Sequence, residues 1–284
     1  MKIVILGARG MIGHSFLEVL GASHNVVGTV RGGLNGEDAS ITQRLIGDID
    51  VQEIKTLECL LLQEAPDVVI NCTGVIKQKS QSVAIADQIH LNSVTPHLLA
   101  ELAASIGFRL VILSSDCVFS GREGNYSEKD VPDALDLYGQ TKALGEVNYG
   151  NCLTLRTSTI GLEVSAAHGL VEWFLNQDQR LVGFNGAVYS GLTTTALARY
   201  TEHLLANYPN LNGLYQAAAA PITKYDLLTK LSAKLGLDLE IEKDEKFQCD
   251  RRLDGSVLKR LSGYQVPSWD EMLDELAIEI KARG

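Results

Sequence analysis

The sequence lacks the features that mark secreted, zinc-binding and membrane-spanning proteins. It has only five cysteines in 284 residues, and they form no Cys-x-x-Cys pair and no spacing with histidine that suits zinc. No apolar run approaches the length of a membrane span, and the run from Ile3 to Leu6 is too short for a signal sequence. We therefore expect reduced thiols, no metal, no membrane association and a cytoplasmic location.

Positive charge is also scarce. The 25 lysines and arginines are outnumbered by 35 acidic residues, which gives a formal net charge of -10. A protein with this charge repels a phosphate backbone, so we predict no nucleic-acid partner. A small phosphorylated ligand is still compatible with it, because a few backbone amides and arginines can hold such a ligand locally.

Short, β-branched apolar runs alternate with longer segments of helical periodicity up to about residue 156. This alternation is typical of βαβ units on a buried parallel sheet, and it predicts an α/β fold of the Rossmann type, with a doubly wound parallel sheet. The predicted strands are 3–6, 26–30, 68–70, 110–113 and 153–155, and the predicted helices are 11–20, 51–64, 87–106 and 138–147.

The alternation weakens after residue 156, where the periodicity predicts helices at 193–205, 222–235 and 269–282. No Ser- or Pro-rich linker separates the two parts. We predict a dinucleotide-binding domain over residues 1–156 that also receives about 187–206. Residues 157–284 are expected to form mainly a smaller substrate-binding lobe that interlocks with it.

A glycine triplet follows the first predicted strand and begins the first predicted helix. Gly7 would allow a tight turn, Gly10 would let a pyrophosphate approach the backbone, and Gly13 would let helix and strand pack closely. The spacing is Gly-x-x-Gly-x-x-Gly, and a plain strand-to-helix turn could carry the same glycines. The N-terminal position favours a dinucleotide site, to which we assign Gly7, Arg9, Gly10, Met11, Ile12 and Gly13.

The end of the second predicted strand indicates which dinucleotide binds. NAD sites usually place an acid there for the adenosine ribose, whereas this sequence has Arg31. Arg9 and Arg31 could make charge-assisted contacts with a 2′-phosphate, so we predict NADP(H) as the cofactor. The alternative is that both are solvated surface arginines.

Tyr138 and Lys142 lie four residues apart on a predicted helix, so both side chains can face one point. The charge of Lys142 is expected to lower the pKa of Tyr138, and its ammonium group can hold a nicotinamide ribose. Such pairs also occur as ordinary surface residues. Here the pair follows the fourth predicted strand and Ser115, which would bring a hydroxyl, a phenol and an ammonium together at the carboxyl edge of the sheet.

These motifs resemble the extended short-chain dehydrogenase/reductase superfamily and, within it, the dTDP-4-dehydrorhamnose reductase family. The resemblance covers nearly the whole chain. Its marks are the glycine triplet, the run 114–121 (Ser-Ser-Asp-Cys-Val-Phe-Ser-Gly), the segment 138–142, the run 155–158 (Leu-Arg-Thr-Ser), and Gly213-Leu214-Tyr215 in the distal lobe.

The resemblance implies roles for individual residues. It makes Ser115 the catalytic Ser or Thr, Tyr138 the general acid and Lys142 its partner. It implies that the cofactor is also contacted by Asp48 and Ile49 at the adenine and by Cys72, Thr73 and Gly74 in the loop after the third predicted strand. The residues expected to face the substrate are Val75, Cys117, Thr159 and Arg252.

The sequence departs from this family in the predicted sugar pocket. Cys117 stands where the family usually has Tyr, and the segment from Thr159 to Gly161 replaces Trp-Val-Tyr-Gly. Fewer rings leave more volume, so a UDP-linked 2-acetamido-2,6-dideoxy-4-keto hexose is a candidate substrate beside dTDP-4-dehydrorhamnose. Arg252 is expected to bind the diphosphate, although it could equally be a surface arginine.

The prediction from sequence is an NADPH-dependent oxidoreductase that reduces a nucleotide-linked 4-keto-6-deoxy sugar in polysaccharide biosynthesis. Two alternatives remain open: a nucleotide-sugar epimerase or dehydratase with tightly bound NAD, and a non-catalytic regulatory subunit similar to that of methionine adenosyltransferase. The sequence is compatible with a homodimer and does not determine the oligomeric state.

Overall fold

The computed structural model describes residues 1–36, 38, 41, 43–164 and 169–283. In chain order the strands are β1 (Lys2–Leu6), β2 (Asn25–Thr29), β3 (Arg44–Ile46), β4 (Val68–Asn71), β5 (Arg109–Ser115), β6 (Cys152–Thr157), β7 (Thr159–Ile160), β8 (Arg180–Tyr189), β9 (Leu192–Thr193), β10 (Gly213–Gln216), β11 (Ile222–Thr223) and β12 (Glu240–Asp250). The helices are α1 (Met11–Gly21), α2 (Ile54–Glu64), α3 (Ile85–Ile89), α4 (Thr95–Ile106), α5 (Leu137–Leu144), α6 (Leu170–Leu175), α7 (Thr194–Asn207), α8 (Lys224–Leu235), α9 (Ser256–Ser262) and α10 (Trp269–Arg283).

A central sheet of seven parallel strands organises the described residues, in the order β10-β6-β5-β4-β1-β2-β3. Strand order reverses between β1 and β4, which is the switch point of a doubly wound sheet, where ligands bind at the carboxyl ends of the strands. The predicted α/β fold of the Rossmann type is confirmed, and the five predicted strands correspond to β1, β2, β4, β5 and β6.

Helices cover both faces of this sheet. Alternate residues of β1 point to opposite faces, so Ile3 and Ile5 join one apolar core while Val4 and Leu6 join another. All four side chains are fully buried, which is why this strand appears in the sequence as a continuous apolar run rather than an alternating one.

The predicted helix at 87–106 is irregular. It consists of α3, a π-helical turn over His90–Val94 and then α4. Asn92 lies in the π turn, where its amide accepts a hydrogen bond from the Val75 N–H at 2.8 Å and donates to the Thr141 hydroxyl at 3.2 Å. The irregular turn therefore connects the loop after β4 to α5.

The distal part of the chain contains a three-stranded sheet in the order β11-β8-β12, together with the short pair β7-β9. Hydrophobic periodicity did not reveal β8 or β12. Strand β12 is rich in charged residues and largely exposed, and most of β8 is only partly buried. The predicted helix at 222–235 begins two residues later, since Ile222 and Thr223 form β11.

One segment lies elsewhere than the sequence indicated. We placed Gly213-Leu214-Tyr215 in the distal lobe, but β10 pairs with β6 at the edge of the central sheet. Helix α7 packs against α1, with a 2.7 Å hydrogen bond between the hydroxyls of Ser15 and Thr194. The chain therefore returns to the first domain twice, whereas β8 belongs to the distal sheet.

Candidate active site

A cleft of about 940 Å³ lies at the carboxyl ends of the central strands, between the sheet and the distal lobe. Its walls include the predicted site residues Arg9, Gly10, Met11, Ile12, Arg31, Cys72, Thr73, Gly74, Val75, Ser115, Cys117, Tyr138, Lys142 and Thr159. Gly7, Gly13, Asp48, Ile49 and Arg252 do not line it. Loops that are far apart in sequence meet here because parallel strands bring their carboxyl ends to one edge.

The glycine triplet shapes the end of the cleft at α1. Gly7 has a φ of +82°, which favours glycine, and a Cβ on Gly13 would lie 2.2 Å from the Gly7 carbonyl oxygen. The turn therefore requires glycine at both positions. Gly10 is the N-cap of α1, and among the described residues no side chain caps this helix. The first amides of α1 are thus positioned for an anion, which suits a dinucleotide pyrophosphate.

Two arginines lie at the same end of the cleft. Arg9 donates from Nε to the Asp38 carboxylate at 3.0 Å and from Nη2 to the Gly33 carbonyl at 3.0 Å, while Arg31 is exposed on the rim. The hydrogen bond from Arg9 is the main cause of a lowered pKa at Asp38. Sequence reasoning missed Asp38, which is far from Arg9 along the chain.

The predicted adenine contacts are not part of the cleft wall. Ile49 packs in the core on one face of the sheet, and Asp48 is exposed with its N–H donating to the Gly32 carbonyl at 3.1 Å. An apolar side chain next to the sheet gains more from burial in the core than from facing the open cleft.

Ser115 and Tyr138 are brought together by a close approach of α5 to the loop after β5. Asp136 caps α5 by accepting the Gly139 N–H at 2.8 Å, and a Cβ on Gly139 would lie 2.2 Å from the Cys117 carbonyl oxygen. Glycine at this position therefore allows the helix to reach the loop. The Ser115 hydroxyl accepts the Cys117 N–H at 3.1 Å, and Ser115 and Tyr138 both line the cleft.

The pKa of Tyr138 is raised, which differs from our expectation. Burial is the main cause, and the hydrogen bond with Ser115 only partly opposes it. Lys142 instead directs its ammonium to the Leu113 carbonyl at 2.7 Å, and burial lowers its pKa to about 8 against the opposing charge of Glu146. The predicted lowering of the Tyr138 pKa by Lys142 is wrong for this arrangement, and the phenol is held in its protonated form.

A polar network that the sequence did not reveal holds α5 and the residues just after it in place. Glu146 accepts two hydrogen bonds from Arg156, each 2.7 Å long, and a third from the Ser114 hydroxyl at 2.7 Å. The Ser93 hydroxyl also donates to the Thr141 carbonyl at 2.8 Å. These contacts fix the helix that carries Tyr138.

The arginine at the other end of the cleft is Arg251 and not Arg252. Arg252 donates to the Asp250 carboxylate at 2.8 Å, away from the cleft wall. Arg251 lines the cleft, with Nε donating to the Phe119 carbonyl at 2.9 Å and Nη1 lying 3.6 Å from the Cys117 sulfur. Consecutive residues in extended backbone point to opposite sides, so the sequence could not indicate which arginine faces inward.

The cleft cysteines are not activated nucleophiles. Burial raises the pKa of both the Cys72 and the Cys117 thiols to about 12. Within the part of the chain that the structure describes, no three His, Cys, Asp or Glu side chains are grouped to hold a metal ion. None of the helices described there has the length and apolar character needed to cross a bilayer.

The chain is similar to two curated proteins with different names. The β subunit of methionine adenosyltransferase 2 from Rattus norvegicus is 30% identical over 149 residues, which cover 51% of this chain and only 41% of that protein. The dTDP-4-dehydrorhamnose reductase of Aggregatibacter actinomycetemcomitans is 24% identical over 239 residues, covering 79% of this chain and 76% of that protein.

Solved structures share the fold. A hypothetical dTDP-4-dehydrorhamnose reductase from Sulfolobus tokodaii has a TM-score of 0.79 at 22% identity and covers 95% of this chain and 98% of that chain. The dTDP-4-dehydrorhamnose reductase of Bacillus anthracis, solved in complex with NADP, has a TM-score of 0.78 at 19% identity, with coverage of 98% and 99%. At these identities the likeness shows the fold alone.

The family model described as the RmlD substrate binding domain matches residues 1–237, which is most of the chain. This match agrees with the glycine triplet, the loop after β5 and the Tyr138 to Lys142 segment. The chain therefore belongs to the RmlD family of extended short-chain dehydrogenases/reductases.

Proposed function

We propose that this protein is an NADPH-dependent reductase of a nucleotide-linked 4-keto-6-deoxy sugar. The observation that carries the proposal is the convergence of Ser115, Tyr138 and Lys142 on one cleft, whose other end is the glycine turn at α1. Two relatives support the substrate class by their names, a dTDP-4-dehydrorhamnose reductase and the dTDP-4-keto-6-deoxy-D-glucose reductase of Streptomyces niveus.

The residues at the glycine turn fit a dinucleotide. The amides of Met11 and Ile12 would receive the pyrophosphate, Arg9 and Arg31 the 2′-phosphate, and Lys142 the nicotinamide ribose. NADPH, when bound, supplies the hydride for the carbonyl carbon. The NADP in the Bacillus anthracis structure supports this choice of cofactor.

Tyr138 and Ser115 act on the carbonyl oxygen of the sugar. The Tyr138 phenol donates a proton to the carbonyl oxygen of the sugar, while the Ser115 hydroxyl donates a hydrogen bond that holds this oxygen in place. Because burial raises the pKa of Tyr138, the phenol is protonated before the reaction. The phenolate that remains on Tyr138 then takes a proton from solvent water that enters the open cleft.

The size of two residues in the cleft wall supports a choice between the candidate sugars. Cys117 and Thr159 are small residues in the cleft wall, and they leave room that large aromatic rings would fill. We propose this sugar ahead of the dTDP-linked rhamnose precursor. A homodimer remains a prediction that light scattering of the purified protein can measure.

The decisive experiment follows NADPH oxidation with a panel of UDP- and dTDP-linked 4-keto sugars. We expect turnover of at least one sugar, and a fall of about 10²- to 10⁴-fold in kcat for Tyr138→Phe with unchanged NADPH affinity. Absence of turnover with every sugar would sink the proposal. Retention of bound NAD through gel filtration, with no net oxidation, would indicate an epimerase instead.

The second candidate function is a regulatory subunit, favoured by the similarity to the methionine adenosyltransferase 2 β subunits. Such a subunit has no need for Ser115, Tyr138 and Lys142 in one cleft. Titration of the protein into a purified methionine adenosyltransferase, with synthetase activity as the readout, tests it. The same effect from wild type and from Tyr138→Phe would support this second function.

A further inference from the structure

Tyr189 carries a hydroxyl that the proposed reaction does not use. It is the last residue of β8 and lines the cleft, and its hydroxyl is buried with no hydrogen-bond partner among the described residues. The ring is held by an edge-on contact with Trp269, whose centroid is 5.7 Å away and whose indole donates to the Ala220 carbonyl at 2.7 Å. The hydroxyl is therefore fixed in position.

A buried hydroxyl without a partner is unfavourable, and phenylalanine would fill the same space without that penalty. Burial also raises the pKa of Tyr189, so the group remains a hydrogen-bond donor. The position of this donor in a ligand cleft indicates that a bound molecule supplies the acceptor.

Two further polar groups lie around the same part of the cleft. The Asp116 carboxyl is close enough to Tyr189 to contribute to its raised pKa, and it accepts a hydrogen bond from the Ser115 hydroxyl at 3.3 Å. Arg251 interacts with the charge of Asp116 and reaches the Cys117 sulfur. All of these residues line the cleft.

We infer that Tyr189, Asp116 and Arg251 form a subsite that recognises an acylamino substituent on the sugar ring. An acylamino group has a carbonyl oxygen, which can accept from Tyr189 and Arg251, and an N–H, which can donate to Asp116. A ring hydroxyl offers a single oxygen in place of these two separate polar groups. The inference rests on the proposed function, because Asp116 follows Ser115 directly and the reacting sugar must lie beside both.

The test uses Tyr189→Phe with a matched pair of substrates that differ only at carbon 2. These are the UDP-linked 2-acetamido-2,6-dideoxy-4-keto hexose and UDP-4-keto-6-deoxyglucose. We expect wild type to prefer the acetamido sugar, and Tyr189→Phe to raise its KM by about 3- to 10-fold with little change in kcat, as for the loss of one neutral hydrogen bond. The KM of the hydroxyl sugar should stay within about twofold.

Tyr200→Phe is the matched control. Its hydroxyl is also buried but bonds to Ser262 at 3.2 Å away from the cleft, so its removal should lower the melting temperature and leave both KM values unchanged. Tyr189→Phe should not lower the melting temperature, because it removes a hydroxyl that has no partner in the described fold.

Binding measurements separate failure of this inference from failure of the proposed reaction. Calorimetry of the NADP-loaded protein with UDP-N-acetylglucosamine and UDP-glucose needs no turnover, and Tyr189→Phe should weaken only the first ligand. Equal effects on both ligands, no effect on either, or a wild-type preference for the 2-hydroxyl compound would overturn the inference. If neither keto sugar is reduced, the proposed function fails and the calorimetric comparison still decides the subsite.

Discussion

Tyr138 and Lys142 show how the wall of the cleft shifts two ionisable groups in opposite directions. Burial disfavours charge, so it raises the pKa of the phenol and lowers that of the ammonium to about 8. The thiols of Cys72 and Cys117, with pKa values of about 12, stay protonated in the same range. Of these four groups, Lys142 is the first to change charge as the pH rises above neutrality.

We predict that kcat/KM for the 4-keto sugar falls as the pH rises through about 8. Above this pH Lys142 loses its proton, and with it the positive charge available to the cofactor ribose. Lys142→Arg keeps a positive charge at all these pH values, so its residual activity should lack the alkaline fall. A pH profile of both proteins is the measurement, and an identical alkaline fall in the variant would show that another group is responsible.

At the scale of elements, α5 depends on the buried ion pair behind it. The side chains of Arg156 and Glu146 are 4% and 7% exposed, so removal of one partner leaves the other charge buried and unpaired. We predict that Glu146→Gln lowers the free energy of unfolding by about 3–5 kcal/mol, measured by urea denaturation.

An exposed ion pair of this protein provides the control for that prediction. Arg180 and Glu242 are bonded at 2.7 Å, but their side chains are 58% and 53% exposed. Glu242→Gln should therefore cost no more than about 1 kcal/mol. Equal losses in the two variants would mean that burial of the Arg156 pair does not determine its contribution.

Two substitutions in the glycine turn should distinguish an effect on folding from an effect on cofactor binding. A Cβ on Gly13 would lie 2.2 Å from backbone oxygen, so Gly13→Ala should lower both the melting temperature and NADPH affinity. A Cβ on Gly10 would meet the Gly7 oxygen at 3.3 Å, so Gly10→Ala should mainly weaken NADPH, by more than about tenfold, because it blocks the approach of the pyrophosphate.

Gly32→Ala is the control for these variants, since an added Cβ there meets nothing within 4 Å. Its melting temperature and NADPH titration should match those of wild type. Unchanged NADPH affinity in Gly10→Ala would contradict the assignment of this turn to the dinucleotide.

The elements also explain what the sequence could and could not predict. Ser115, Tyr138 and Lys142 follow buried strands whose apolar runs are unmistakable, so their place at the carboxyl edge followed from strand order alone. Tyr189 is the last residue of β8 and Arg251 directly follows β12, whose charged and exposed residues hide the strand pattern. Their orientation depends on the pairing of β8 with β12, which local sequence does not encode.

At the scale of the whole molecule, the two lobes share one core. A single apolar cluster contains Ile3 of β1, Leu197 of α7, Leu228 of α8 and Leu273 of α10. The central sheet is also completed from the distal half of the sequence, because β10 covers the edge of β6. Side chains from both sides of residue 156 therefore pack into one core, and the domain boundary at this residue stays a prediction.

We predict that a chain ending at Ala206 does not fold on its own, although it retains the glycine turn and the Tyr138 segment. It would lose β10 and, with it, the buried side chain of Gln216, whose amide donates to the Tyr126 carbonyl at 3.0 Å. It would also remove the α8 and α10 side chains of the shared cluster, such as Leu228 and Leu273, and leave apolar residues of that cluster exposed. Thermal unfolding of the full chain should show one cooperative transition, and the shortened chain should show none and should not bind NADPH. A shortened chain that unfolds cooperatively and binds NADPH would show instead that the first domain is stable without the shared core.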